Sequence, residues 1–297
     1  MKPMIVESGI AEKTRRLLAE HGLRLKKSLG QHFLTDRHIL DKMMRAAGLD
    51  GEAGVLEIGP GIGALTERLA QEAKKVAAVE LDDRLVPVLA ELFSDRPHVK
   101  IIHGDAMELD LHRLIREHLG DCSRISVVAN LPYYVTSPIL MRLLEERLPL
   151  ERIVVMIQKE VAERLMALPS TKAYGAITVA ARYYTEVEWV TRVPAHVFVP
   201  RPQVDSAVIR LNVRRRPAVE VTNEPLFFRV VRAAFNQRRK TLSNALTSGL
   251  FKGERKESVI RCLEEVGIDP NRRGETLSLE EFAKLTNRLD ERAKSFI

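Results

Sequence analysis

Four consecutive residues, Asn130, Leu131, Pro132 and Tyr133, carry the clearest chemistry in this sequence. They follow the apolar run from Ile125 to Ala129, which reads as a buried strand. Ser137 and Pro138 then read as the N-cap and first residue of a helix. An amide, a proline-stiffened carbonyl and an aromatic ring therefore sit on a loop at the carboxyl end of a strand. In an open α/β sheet that edge is where ligands bind. Such a set can hold a flat, weakly nucleophilic amine. Asn130 and a backbone carbonyl at Leu131 or Pro132 accept hydrogen bonds from an exocyclic NH2, while Tyr133 stacks on the ring that bears it. A plain strand-to-helix turn would use some of the same residue types.

The elements that must position this loop alternate along the first half of the chain. Val55 to Ile58 is a short apolar run interrupted by Glu57, followed by the turn Gly59-Pro60-Gly61-Ile62-Gly63 and a helix from Ala64 to Ala73. A second strand ends at Glu80 and a third at Gly104-Asp105-Ala106. Strands alternating with helices at this spacing imply a parallel sheet with helices on both faces. The segment from Gly175 to Tyr184 fits either a helix or a strand, and Glu186 to Val193 and Val204 to Val213 read as strands. Arg214-Arg215-Arg216-Pro217 reads as a linker to a small helical domain.

The glycine turn admits close approach of a ligand to the backbone. A carboxylate at Glu80 can accept both ribose hydroxyls of a nucleoside. Gly59, Gly61 and Ala64 with Glu80 also match the dinucleotide fingerprint, so a nicotinamide cofactor is a competing reading. Two features count against it. Glu57, just before the turn, is a poor neighbour for a pyrophosphate but a suitable one for a cationic cofactor. Asp105 can accept the N6 amine of an adenine. S-adenosylmethionine, an adenosine carrying a sulfonium and an amino acid and no phosphate, suits three carboxylates at successive strand ends.

Composition bounds the class. The chain has 297 residues, 45% hydrophobic and 29% charged, with a formal net charge of +7 that favours a polyanionic partner. The two cysteines, Cys122 and Cys262, have no CxxC spacing, which argues against a disulfide scaffold or zinc site. No export signal or membrane span is read, so a cytoplasmic protein is expected. Residues 11 to 27 carry Lys13, Arg15, Arg16, Arg24, Lys26 and Lys27 and read as a basic arm.

Together these segments resemble the rRNA adenine N6-dimethyltransferases from about Lys26 to the end of the chain. The resemblance rests on Leu29-Gly30-Gln31-His32-Phe33-Leu34, Glu57 to Gly63, Glu80, Gly104-Asp105-Ala106, Asn130 to Tyr133, Gln158 to Ala162, Val197 to Ser206 and Phe235 to Leu242. It implies a Rossmann-like class I S-adenosylmethionine-dependent methyltransferase domain over 1–213, with a basic arm over about 1–35. A small C-terminal α-helical RNA-binding domain is expected over 214–297. It also implies that Gln31, His32, Leu34, Glu57, Gly59, Gly61, Glu80, Leu81, Asp105, Ala106 and Asn130 line the cofactor site. Asn130, Leu131, Pro132 and Tyr133 would hold the target adenine, with Phe198 on its other face. Arg201, Arg214, Arg215, Arg238, Arg239 and Lys240 would bind RNA. The implied partner is 16S rRNA in the 30S ribosomal subunit, met by a monomer without metal, and the implied product is a pair of adjacent dimethyladenosines in a hairpin near the 3′ end. The family usually has Asn where this chain has His32. The macrolide-resistance 23S rRNA branch usually reads Gly-Ser-Gly and Asn-Ile-Pro at positions where this chain has Gly59-Pro60-Gly61 and Asn130-Leu131-Pro132. A ribosome-assembly docking factor without essential catalysis and a DNA adenine methyltransferase are the remaining alternatives.

Overall fold

The computed structural model describes residues 9–23 and 30–294, with side chains through Arg292. Arg24, Lys26 and Lys27 of the expected basic arm, and Leu29 of the first motif, lie outside the described residues. The chain divides into two compact units, one formed by residues 1–162 and 188–213, the other by 163–187 and 214–297.

In the first unit, the strands β2 (Ala53–Ile58), β3 (Lys75–Glu80), β4 (Val99–His103), β5 (Arg124–Asn130), β6 (Arg152–Gln158), β7 (Thr185–Val193) and β9 (Ser206–Val213) form one sheet in the order β4-β3-β2-β5-β6-β9-β7. Neighbours from β4 to β6 run parallel, and β9 joins β6 antiparallel. The intervening helices are α2 (Arg37–Ala47), α3 (Ala64–Glu72), α4 (Leu85–Leu92), α5 (Leu111–Leu119) and α6 (Thr136–Glu145). All six residues of β2 are buried, as a strand covered on both faces requires. Val55, Val76, Ala78, Val128 and Val154 share one core with Leu40 and Met43 of α2 and Leu65 and Leu69 of α3. The alternate positions face the other way, where α5 packs on β3 and β2.

Helix α2 is capped at both ends: the Asp36 carboxylate accepts from the Ile39 amide at 3.1 Å, and Gly48 ends the helix in the left-handed region. The start of α6 differs from expectation. Its N-cap is Val135, so Ser137 and Pro138 fall in the second and third helical positions. Pro138 is tolerated there because first-turn amides lack intrahelical partners in any case. The first residue, Thr136, secures the turn by donating its hydroxyl to the Pro132 carbonyl at 2.9 Å. Of the basic arm, α1 (Ile10–Glu20) is a helix whose Ile10 and Leu18 pack on the core, and its Lys13 pairs with Glu67 of α3 at 2.7 Å. A short antiparallel pair joins β1 (Phe33–Leu34) to β8 (Phe198–Val199), with Leu34 opposite Phe198.

The second unit contains the second half of α7 (Lys159–Met166), then α8 (Ala176–Tyr184), α9 (Glu224–Asn236), α10 (Leu242–Phe251), α11 (Lys256–Glu265) and α12 (Leu279–Lys294). The segment from Gly175 to Tyr184, undecided from periodicity, is helical. It groups with the C-terminal helices although it precedes the expected boundary at residue 214. The reason is aromatic burial. Tyr183 stacks on Phe227 (4.9 Å between centroids) and Tyr184 on Phe228 (5.5 Å), and both hydroxyls donate to the Glu224 carboxylate. Helix α10 begins at Leu242, with Thr241 as its N-cap. A capping box opens α12: the Ser278 amide donates to Glu281 and the Glu281 amide to the Ser278 hydroxyl.

Candidate active site

The chain leaves β2 toward β3 and β4 on one side and returns to β5 on the other. The crevice between the carboxyl ends of β2 and β5 is therefore the switch point at which open α/β sheets bind ligands. A cleft of about 1170 Å³, counted to its open mouth, lies there. It is lined by the 59–63 turn, the ends of β3 and β4, the 130–135 loop and a strap over Gly30–Leu34.

The acidic groups come from three strand ends. Glu80 accepts from the Gly61 amide at 3.0 Å and the Asp82 amide at 2.8 Å, so the carboxylate braces the glycine turn. Burial pushes its pKa up, partly offset by those hydrogen bonds. Asp105 caps its own turn by accepting from the Met107 amide at 2.8 Å through Oδ1, which leaves Oδ2 for a ligand. Glu57 is 1% exposed, and its Oε2 has no hydrogen-bond partner among the described residues. Burial drives its pKa up to about 8; the Thr66 hydroxyl opposes the rise and the Glu80 charge adds to it. The sequence reading counted Glu57 as a negative charge, but in this environment it is neutral at pH 7.

The strap is held at several points. The Gln31 side-chain amide donates to Asp82 Oδ2 at 2.9 Å, and the same carboxylate takes two bonds from the Arg84 guanidinium. The guanidinium holds the Asp82 carboxyl well below the usual carboxylate range. His32 donates from Nδ1 to the Pro200 carbonyl at 2.7 Å, while its own carbonyl accepts from Asn130 Nδ2 at 3.0 Å. The ring and backbone of His32 thus both serve in place of the asparagine usual at this position. Phe33 packs on Gly61, whose φ is +60°; a Cβ there would lie 2.7 Å from the ring.

These bonds orient the 130–135 loop. With Nδ2 of Asn130 committed to His32, its Oδ1 is the end left to accept from a ligand. The Pro132 carbonyl already receives the Thr136 hydroxyl and the Val135 amide (3.2 Å), which occupy both lone pairs. Of the two carbonyls considered from sequence, Leu131 is therefore the available acceptor. Tyr133 reaches Ser206 Oγ through its hydroxyl at 2.7 Å, and its ring lies 5.4 Å from that of His32.

All eleven expected cofactor residues, Asn130 among them, line the cleft together with Leu131, Pro132 and Tyr133. Phe198 does not. It is 3% exposed, belongs to the core and is absent from the cleft lining, because pairing with Leu34 turns it inward. All six expected RNA contacts, Arg201, Arg214, Arg215, Arg238, Arg239 and Lys240, are exposed. Arg238 also braces its own unit, bonding Glu275 and the carbonyls of Lys172 and Tyr174, and Arg214 pairs with Glu186 and the Thr185 carbonyl. Sequence reasoning missed Asp82, Ser206 and Thr136. Asp82 lies two residues past Glu80, where an aspartate reads as an ordinary helix-start residue.

No lysine or arginine is among the described residues lining the cleft. A pyrophosphate would find no counter-charge there, and the Gly61 amide it would need is already bonded to a carboxylate. A phosphate-free nucleoside with a cationic tail fits this donor set. S-adenosylmethionine is such a molecule: Glu80 and Asp105 would hold its adenosine.

Known proteins with the same pattern extend well beyond the cleft. The chain is 57% identical over 278 residues to the ribosomal RNA small subunit methyltransferase A of Geobacillus thermodenitrificans, covering 93% of this chain and 95% of that protein. It is 53% identical to the protein of the same name from Bacillus pumilus, over 93% of this chain and 94% of the other. Among solved structures, a dimethyladenosine transferase from Plasmodium falciparum superposes with a TM-score of 0.72 at 28% identity, covering 90% of this chain and 99% of that one. The 23S rRNA methyltransferase ErmE gives 0.62 at 27% identity, covering 87% and 99%. The family model described as ribosomal RNA adenine dimethylase matches residues 22–291, both units and every cleft-forming segment from the strap onward, so the chain belongs to the ribosomal RNA adenine dimethylase family.

Proposed function

We propose that this enzyme transfers methyl groups from S-adenosylmethionine to N6 of adenosines in 16S rRNA. It acts in the cytoplasm as a single chain on the 30S subunit and dimethylates two adjacent adenosines in a hairpin near the 3′ end. The observation that carries the reading is the pair of acceptors at the mouth of a phosphate-free nucleoside cleft: Asn130 Oδ1, oriented by the His32 carbonyl, and the Leu131 carbonyl. When bound, the cofactor supplies a methyl group on a positively charged sulfur.

The chain's own residues do the rest. The N6 lone pair of adenine is delocalised into the ring, which makes the amine a poor nucleophile. Accepting both N6–H bonds at Asn130 and Leu131 favours a tetrahedral nitrogen and directs its lone pair toward the methyl carbon. Fixing the amine in line for displacement is worth on the order of 7 kcal/mol or more in model systems. The methylated nitrogen is acidic and releases its proton to water, so no strong base is needed. Tyr133, held by Ser206, offers a face for the flipped base. Exposed Arg201, Arg215, Arg239 and Lys240 supply phosphate contacts, with recognition by shape and charge.

Incubation with radiolabelled S-adenosylmethionine and unmethylated 30S subunits, followed by nucleoside analysis, tests this. Labelled dimethyladenosine in the 16S hairpin is expected. Label confined to 23S rRNA, or no transfer to any RNA, would overturn it.

A further inference from the structure

Two adjacent tyrosines of the catalytic loop meet opposite environments. Tyr133 is half-buried with its hydroxyl on Ser206, whereas Tyr134 is 51% exposed and its hydroxyl has no partner among the described residues. Of the large hydrophobic side chains that stay exposed, Tyr134 and Leu81 (41% exposed) both line the cleft. Tyr134 also reaches the strap on the other side of the cleft lining. The ring edge rests on Gly30 of the strap, where an added Cβ would come within 3.3 Å of Cδ1, and Gly30 has a φ of +57°. Partial burial first, and then the charges of Asp105 and Glu80, which line the same cleft, push the Tyr134 hydroxyl pKa up. These are the carboxylates that the preceding reading assigns to the adenosine of the cofactor.

We propose that Tyr134 is a cofactor-binding residue whose ring closes the cleft over the nucleoside half of S-adenosylmethionine, while Tyr133 serves the target base. The inference rests on the proposed function. Exposure without the cofactor is what such a role requires: a flat apolar ring beside an acidic mouth has nothing to cover until a nucleoside arrives. Stacking on a ligand's heterocycle then removes that ring from water. Gly30 has its part in this arrangement, because a Cβ there would crowd the ring at 3.3 Å and require it to shift.

The test is titration calorimetry of the full chain with S-adenosylhomocysteine, in the absence of RNA, for the unaltered protein, Tyr134→Ala, Tyr134→Phe, Gly30→Ala and the Gly30→Ala/Tyr134→Ala pair. Loss of the ring should raise Kd roughly tenfold, in the range of one stacked base. Tyr134→Phe should stay within about threefold of the unaltered protein, and Gly30→Ala should add little once Tyr134 is absent, because the two act through one contact. A Tyr134→Ala affinity within about twofold of the unaltered protein would overturn the proposal, as would equal losses from Tyr134→Phe and Tyr134→Ala. Failure of the unaltered protein to bind S-adenosylhomocysteine would instead remove the functional reading, and the proposal with it. Thermal melting of each variant separates these outcomes from loss of fold.

Discussion

Replacing Glu57 by Gln perturbs one buried ionisable group while keeping its shape, and the structure sets the size of the response. In the unfolded chain a glutamate ionises near 4.5, but in the folded protein Glu57 keeps its proton up to about 8. Between these values the folded state binds more protons than the unfolded state, so stability falls as pH rises through this window. A displacement of that size is worth roughly 5 kcal/mol over the full span, of which roughly 2.5 kcal/mol falls between pH 6 and 8.5. Glutamine cannot ionise and escapes this loss. Urea unfolding of the cofactor-free protein and of Glu57→Gln at both pH values isolates residue 57 through the change in their difference, because other titrating groups cancel. Glu57→Gln should gain roughly 2.5 kcal/mol relative to the unaltered protein on going from pH 6 to 8.5. A difference that does not change with pH would refute the claim that Glu57 is buried and neutral, and with it the account of the unpartnered Oε2 beneath the glycine turn.

Asn130→Ala should lower kcat about 100- to 1000-fold, the scale for losing one preorganised transition-state hydrogen bond, with a much smaller change in cofactor affinity by calorimetry. Gly61→Ala places a side chain in the left-handed region and against Phe33, so it should cost roughly 1–2 kcal/mol or more of stability and weaken cofactor binding together, read by melting and titration. The Arg239→Gln/Lys240→Gln pair should flatten the log–log salt dependence of RNA binding by roughly 1.5 without affecting the melt. Arg238→Gln should do the reverse, lowering the melting temperature by breaking the bonds to Glu275, Lys172 and Tyr174 and leaving the salt slope nearly unchanged.

The alternation of strands and helices, the glycine turn and the acidic strand ends were legible in the sequence because each is local. Periodicity and turn chemistry act over a few residues, and a parallel sheet placed at its switch point brings Gly59, Glu80, Asp105 and Asn130 to one edge. The caps at Asp36 and Ser278 were legible for the same reason. What depends on segments far apart in the chain was not. The His32 carbonyl orients Asn130 across 98 positions, Ser206 holds Tyr133 across 73, and Gln31 meets Asp82 across 51. Pairing of Leu34 with Phe198 turned an expected base-stacking ring into core. Stacking of Tyr183 and Tyr184 on α9 drew residues 163–187 into the helical unit. Protonation of Glu57 was equally invisible, because a carboxyl's charge depends on the solvent it loses, and only tertiary packing removes that solvent. The sequence alone thus determined which groups lie at the strand ends and which reaction they suit. The tertiary structure decided which of their atoms remain available to a ligand, since each hydrogen bond made between distant segments takes one acceptor away and leaves another.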